Sequence, residues 1–161
     1  ARKYVGGETH FYLGRRYRLK LISDDVNKVK ISGAYVLIQA SDINNPHNVE
    51  ALLLQWYRAK AHEKFSALYD ECWKHFDQTL TSKPRLSIRI LKRRWGSLSS
   101  SGLLTLNIDL IRSPKECIQY VIIHELCHLL YRNHSQEFYS LLTQYLPDWE
   151  KRKKKLETTL A

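Results

Sequence analysis

The chain has 161 residues, 43% of them hydrophobic, enough to bury a core, and no apolar run approaches the length that a helical membrane span requires. Lys and Arg outnumber Asp and Glu by 26 to 16, and the net charge of +10 asks for a partner of opposite sign, such as one that carries phosphates. The three cysteines, Cys72, Cys117 and Cys127, form neither a paired framework nor a Cys-x-x-Cys pair, which argues against a disulfide scaffold and places the chain in a reducing, cytoplasmic compartment. The sequence reads as a single domain over residues 1–161, with a β-rich lobe over 1–45 and a helical lobe over 46–161.

The first lobe alternates apolar and charged residues. Thr9 to Leu13, Tyr17 to Ile22, Val29 to Ile31 and Tyr35 to Gln39 predict an N-terminal antiparallel β region, with turns at Gly14 and Ser32-Gly33. Asn44-Asn45-Pro46 breaks that pattern. A long helix is expected from about Asn48 to His75, with Leu52, Leu53, Trp56, Phe65, Leu68, Tyr69, Cys72 and Trp73 on its core side. Leu86 to Arg94 and Leu103 to Asn107 predict a β-hairpin around the Ser/Gly-rich link Ser99 to Gly102. Ser113-Pro114-Lys115-Glu116 then reads as a helix start, with Ser113 as N-cap, Pro114 at the first helical position and Glu116 closing a capping box. The residues that follow, Cys117, Ile118, Val121, Ile122, Ile123, Leu126, Cys127, Leu129 and Leu130, are apolar on every side, as in a buried helix. Ser135 caps a further amphipathic segment through Phe138, Leu142 and Tyr145, and a Lys-rich run closes the chain. The class is α+β.

Within the buried helix stands His124-Glu125-Leu126-Cys127-His128. On a helix His124 and His128 lie one turn apart on one face, where two imidazoles can share a zinc ion with Glu125 beside them as general base. A bare His-Glu-x-x-His arises by chance in roughly one or two such chains in a hundred, and a further His six positions on lowers that to about one in a thousand, so the set is read as a metal site. Ionisable groups in a buried helix need a compensating partner, and a metal ion provides one. A catalytic zinc takes three protein ligands and an open position. His134 is the leading third ligand, because one local turn returns it to the metal, and Glu137, Asp148 and Glu150 compete with it. Cys127 is read as a small buried hydrophobe.

The chain resembles the YgjP-like metallopeptidase family of zincin proteins, neighbours of the WLM and SprT-like groups. The residues that carry the resemblance are Arg94-Trp95-Gly96-Ser97, then His124 to His128, then Asn133-His134-Ser135 with Phe138, within a stretch from Tyr12 to Trp149. The resemblance implies a zincin-like fold, one Zn2+ bound by His124, His128 and His134, and a catalytic Glu125. Leu98 departs from the pattern, which has Cys after Trp-Gly-Ser.

In such a fold, an edge strand beside the metal helix pairs with an extended polypeptide substrate, and Leu103 to Asn107 is the expected strand, with Asn107 at its end. The long helix is expected to pack over the site. Zinc acidifies its water and polarises the carbonyl, and Glu125 moves the proton. Tyr131, Tyr139 and Arg94 are the candidates to stabilise the oxyanion. Two other readings stand beside the peptidase. A nucleoside triphosphate is an alternative substrate, its phosphates held by Arg93 and Arg94, although no Gly-rich phosphate loop is present. A non-enzymatic, nucleic-acid-associated module with structural zinc is the third, disfavoured by the intact Glu125. The Lys151 to Lys155 run is read as a solvated, frayed terminus.

Overall fold

Period-two burial decides the N-terminal layer. In β1 (Thr9–Tyr12), β2 (Arg15–Ser23), β3 (Lys28–Ser32) and β4 (Tyr35–Ala40) of the computed structural model, which describes residues 1–76 and 82–159, alternate positions face inward, including His10, Tyr12, Tyr17, Leu19, Val36 and Ile38. The sheet order is β1-β2-β4-β3. β1/β2 and β3/β4 pair antiparallel, but β2 and β4 run parallel, which corrects the expectation of a wholly antiparallel region. The physical reason is burial. β4 carries Val36, Ile38 and Ala40, each at most 1% exposed, and takes the inner position, leaving the lysine-bearing β3 at the edge, where charge is tolerated.

Gly14 ties this sheet to the rest of the fold. Its φ of +81° suits a residue without a side chain, and a Cβ there would fall 2.7 Å from Pro114 Cγ. The turn it forms docks through Leu13 N–H to Ile111 O and Gly14 N–H to Arg112 O. Beside it Arg112 is buried against Tyr57, donating from Nη1 to the phenol oxygen at 3.2 Å.

α1 (Pro46–His75) begins two residues earlier than expected, because the Asn45 side chain accepts from His47 N–H and Pro46 supplies the first helical position. Leu53, Trp56, Phe65, Leu68, Tyr69 and Cys72 are buried, while Leu52 and Trp73 are half-buried. The second sheet contains β5 (Arg85–Arg89), β6 (Gly96–Leu98) and β7 (Leu103–Asn107), in the order β5-β7-β6. β5 pairs with β7 in parallel, so the expected hairpin between Leu86–Arg94 and Leu103–Asn107 is corrected: the hairpin is β6 with β7, turned through Gly102. The chain leaves the sheet after Arg89 because the Asn107 amide pins the following loop, donating to Leu91 O and Arg94 O at 2.9 Å each.

A 3-10 turn over Ile108–Arg112 leads into α2 (Lys115–Cys127), followed by α3 (Gln136–Tyr145) and α4 (Trp149–Thr159). Ser113 does not cap α2. Its hydroxyl and N–H both donate to Leu110 O, and the helix starts from Pro114, whose carbonyl accepts from Cys117 and Ile118. Glu116 meets Lys155 at 2.6 Å instead of closing a capping box. α2 is surrounded by α1, α3, α4, β6 and β7, which explains its apolar circumference. The C-terminal run is helical to Thr159 rather than frayed. Leu156 is buried, and Arg152 donates to Glu116 O, Gln119 Oε1 and Asp148 Oδ1. Among the described residues, no helix is long and apolar enough to cross a membrane.

Candidate metal centre

α2 ends where the chemistry begins. His124 lies in its last turn, and His128 is the C-cap residue, with its N–H bonded to Glu125 O. The chain then tightens, Leu129 N–H reaching Leu126 O and Tyr131 N–H reaching Cys127 O, before Ser135 caps α3 by accepting from Phe138 N–H. That turn returns His134 to the helix it has just left. One ligand atom from each of His124, His128 and His134 lies within 4.8 Å of the others, a spacing that one metal ion can bridge.

The imidazoles are held from behind. Phe138, fully buried, places its ring centroid 5.0, 4.6 and 5.0 Å from those of His124, His128 and His134, and stacks on His128. Tyr139 stacks on both His134 and Trp149. His128 Nδ1 donates to Tyr131 O at 2.9 Å, which fixes the tautomer that leaves Nε2 as a lone-pair ligand. His124 Nδ1 lies 3.2 Å from Glu125 Oε2, with the same consequence for its own Nε2. Burial, with the neighbouring His124 and His128, holds the His134 pKa below the ordinary imidazole value, favouring the neutral form that binds metal. Three imidazole nitrogen donors with an open fourth side suit zinc.

Glu125 is 8% exposed, and only its Oε2 has a partner among the described residues. Its side chain, the three histidines and residues 96–100 line an open cleft of about 680 Å³. Gly96 lets β6 approach α2: a Cβ there would stand 3.1 Å from Val121 Cγ1 and 3.3 Å from Glu125 Cγ. β6 is therefore the wall of the cleft and the edge of its sheet.

A family model for the YgjP-like metallopeptidase domain matches residues 1–159. The chain belongs to the YgjP-like metallopeptidase family. In fold it is similar to the metallopeptidase zymogen jannalysin of Methanocaldococcus jannaschii, at 21% identity and a TM-score of 0.53, covering 61% of this chain and 91% of that one. The metallopeptidase zymogen abylysin of Pyrococcus abyssi matches at 22% identity and a TM-score of 0.49, covering 62% and 94%. A search of curated proteins gave no match.

For this YgjP-like chain, the site residues read from sequence divide sharply. His124, Glu125, His128 and His134 converge, whereas Glu137, Asp148 and Glu150 stay outside the cluster. Arg94 lines the cleft; Arg93, Tyr131 and Asn107 do not. Asn107 is 4% exposed and braces the 91–94 loop, and Tyr131 contributes its carbonyl to His128. The expected edge strand Leu103–Asn107 is the central strand β7, four of its five residues buried, so β6 takes its place. α1 packs behind α2 instead of over the cleft. Arg132 and the Ser99-Ser100 pair were not anticipated as lining residues. Position alone signals Arg132, which lies between the second and third histidines. Cys127 is buried and its thiol is pushed up to about 12 by desolvation and the nearby Glu125, so it is inert at neutral pH.

Proposed function

We propose that the protein is a zinc-dependent peptidase acting on extended polypeptide, with His124, His128 and His134 as ligands and Glu125 as general base. The observation that carries this reading is the joint placement of three imidazoles and a buried carboxylate in a cleft walled by an edge strand. Zinc bound there supplies Lewis acidity toward the scissile carbonyl and a water acidic enough to ionise near neutral pH. Glu125 Oε1, the oxygen not engaged by His124, accepts a proton from the attacking water and returns it to the leaving amine. β6 pairs with β7 on one side only, and its other edge offers main-chain hydrogen bonds that align an extended segment along the cleft. Arg94, which lines the cleft, is the cationic donor assigned to the developing oxyanion; Tyr131 and Tyr139 do not line the cleft. The three thiols are buried and unpaired, which agrees with a cytoplasmic, reducing environment.

A second reading is favoured by one observation. Arg94 and Arg132 make no ion pair among the described residues, and two free guanidinium groups beside a metal cleft also suit the phosphates of a nucleoside triphosphate. A paired assay separates the readings: zinc-loaded protein is offered a disordered polypeptide or a panel of triphosphates, with Glu125→Gln as control. Cleavage of polypeptide alone, reduced about 10²- to 10⁴-fold in Glu125→Gln with zinc still bound, is the expected result. Phosphate or pyrophosphate release alone would overturn the peptidase reading.

A further inference from the structure

We propose that the outer face of the N-terminal sheet is a binding surface for single-stranded nucleic acid, separate from the metal cleft and independent of the peptidase reading. Strand register places the face unambiguously. Arg18 pairs with Tyr35, Lys20 with Leu37, and Lys30 with the same Leu37, so these side chains project together, opposite to the buried Leu19, Val36 and Ile38. Two cationic rows result. Arg16, Arg18 and Lys20 occupy alternate positions of β2, and Lys28 and Lys30 alternate positions of β3; all five are exposed. No strand position on this face is a carboxylate, and Asp24, which reaches its far end, accepts from Gln39 Nε2 at 3.1 Å.

Between the rows lies β4, which carries the exposed Tyr35 and the half-buried Leu37. Lys20 Nζ sits 5.4 Å from the centre of the Tyr35 ring, and at the β1 side Arg16 lies 5.6 Å from that of Phe11. Cations within a row are roughly 7 Å apart, and the two rows are separated by about 10 Å, two strand spacings. Positive charge on both sides of an uncharged strip with an aromatic ring suits a single strand that crosses the face, its phosphates meeting both rows and a base stacking between them. An anionic membrane needs no exposed ring between the charges, and a duplex offers its bases no access to one, so the single strand is the partner that uses the whole face. Arg18 donates its Nε to Gly7 O, which orders the side chain and leaves its remaining N–H groups for phosphate.

Fluorescence anisotropy on the full chain with labelled oligo(dT) and oligo(U) tests this, and comparison of the two separates DNA from RNA as the source of the strand. Five phosphate contacts predict a slope of log Kd against log salt of about 3.5 in magnitude. The triple variant Arg16→Gln, Arg18→Gln, Lys20→Gln should reduce that slope by about 2 and weaken binding at least tenfold at about 0.1 M salt. Tyr35→Ala should weaken it by about five- to a hundredfold with the slope unchanged, because stacking displaces no counterions. A tail variant, Lys151→Gln, Lys153→Gln, Lys154→Gln, removes equal charge elsewhere and should bind as the parent does. Folding of each variant is checked by circular dichroism; single variants Arg18→Gln and Lys20→Gln replace the triple if it fails to fold. Equal losses in the strand and tail triples, tight duplex binding indifferent to Tyr35→Ala, or capture by phosphatidylserine vesicles without oligonucleotide binding would each overturn the proposal.

Discussion

Gly96→Ala is the perturbation that best separates the position of Glu125 from the metal. Gly96 lacks a positive φ, so alanine can adopt its backbone, and the difficulty is space alone. The new methyl would meet Thr105 O at 3.1 Å, Val121 Cγ1 at 3.1 Å and Glu125 Cγ at 3.3 Å. Thr105 O belongs to the paired strand and cannot retreat without disturbing the β6–β7 ladder, so relief must come from the α2 side, at Val121 and Glu125. Overpacking of this kind costs about 1–3 kcal/mol, and the reduced freedom of the unfolded chain offsets about 0.4–1 kcal/mol. A net loss of about 1–2 kcal/mol lowers Tm by about 3–6 °C in a chain of this size. None of the three contacts is a histidine atom, so zinc stoichiometry should be unchanged, while displacement of Glu125 by a few tenths of an ångström should lower kcat/KM about tenfold. Calorimetry, metal analysis after dialysis and steady-state cleavage of a disordered polypeptide measure the three quantities. Full activity with a lowered Tm would refute the claim that Gly96 sets the general base, and loss of zinc would show that the strain reaches the ligands instead.

Phe138→Ala should destabilise the protein by about 3–5 kcal/mol and, in the folded fraction, weaken zinc at least tenfold by chelator competition although no ligand is removed; Phe138→Leu should retain more of both. An unchanged zinc Kd in either folded variant would mean that the ring is only core. Asn107→Ala leaves the carbonyls of Leu91 and Arg94 without their donor, and urea unfolding should show a loss of about 2–3 kcal/mol. A loss below about 0.5 kcal/mol would show that water replaces the amide. The Lys155 ammonium beside Glu116 holds its carboxyl below the ordinary carboxylate range. That stabilisation is present above the unfolded value of 4.5 and is lost as pH falls through the depressed folded value. Glu116→Gln should thus lower Tm slightly at pH 7, since the pair is exposed and screened, and the difference should shrink as pH falls below 4.5; an offset that does not change with pH would argue against the pairing.

Local chemistry made part of this protein legible. The strand positions in the first lobe follow alternation, and α1 follows its apolar stripe and its Asn-Pro start, because each is decided by neighbours in sequence. Strand partners were not legible. Thr9 to Gln39 shows four strands, but whether β2 pairs with β3 or β4 depends on which strand buries more side chain against α1, a competition between segments. The same holds for the second sheet, where Leu86 to Arg94 looked like one strand and contains a strand, a loop and a cleft residue. Burial of Leu104, Thr105, Leu106 and Asn107 puts β7 in the centre, and the short Gly96–Leu98 is left as the edge that walls the cleft. Asn107 illustrates the limit: a polar residue at a strand end near the metal motif reads equally as a substrate contact or as a loop brace, and only its two carbonyl acceptors choose.

The metal motif itself is best understood as a helix terminus rather than a helix face. The i, i+4 spacing puts His124 and His128 together, but His134 joins them only because α2 stops at His128. Had Leu129 and Leu130 continued the helix, as their apolar character suggested, a 1.5 Å rise per residue would carry position 134 about 9 Å further along the axis from His128. Instead the i→i+3 bonds of the last turn close the helix, and Leu130 is left exposed. His128 then finds its Nδ1 acceptor in Tyr131 O, a carbonyl freed by the helix end. The break therefore supplies both the third imidazole and the hydrogen bond that fixes the second. Ser135 starts α3 one residue after His134, and Phe138, one turn into that helix, returns beneath all three rings. Residues 124 to 138 form a unit in which a helix end, a turn and a helix start each contribute one part of the site.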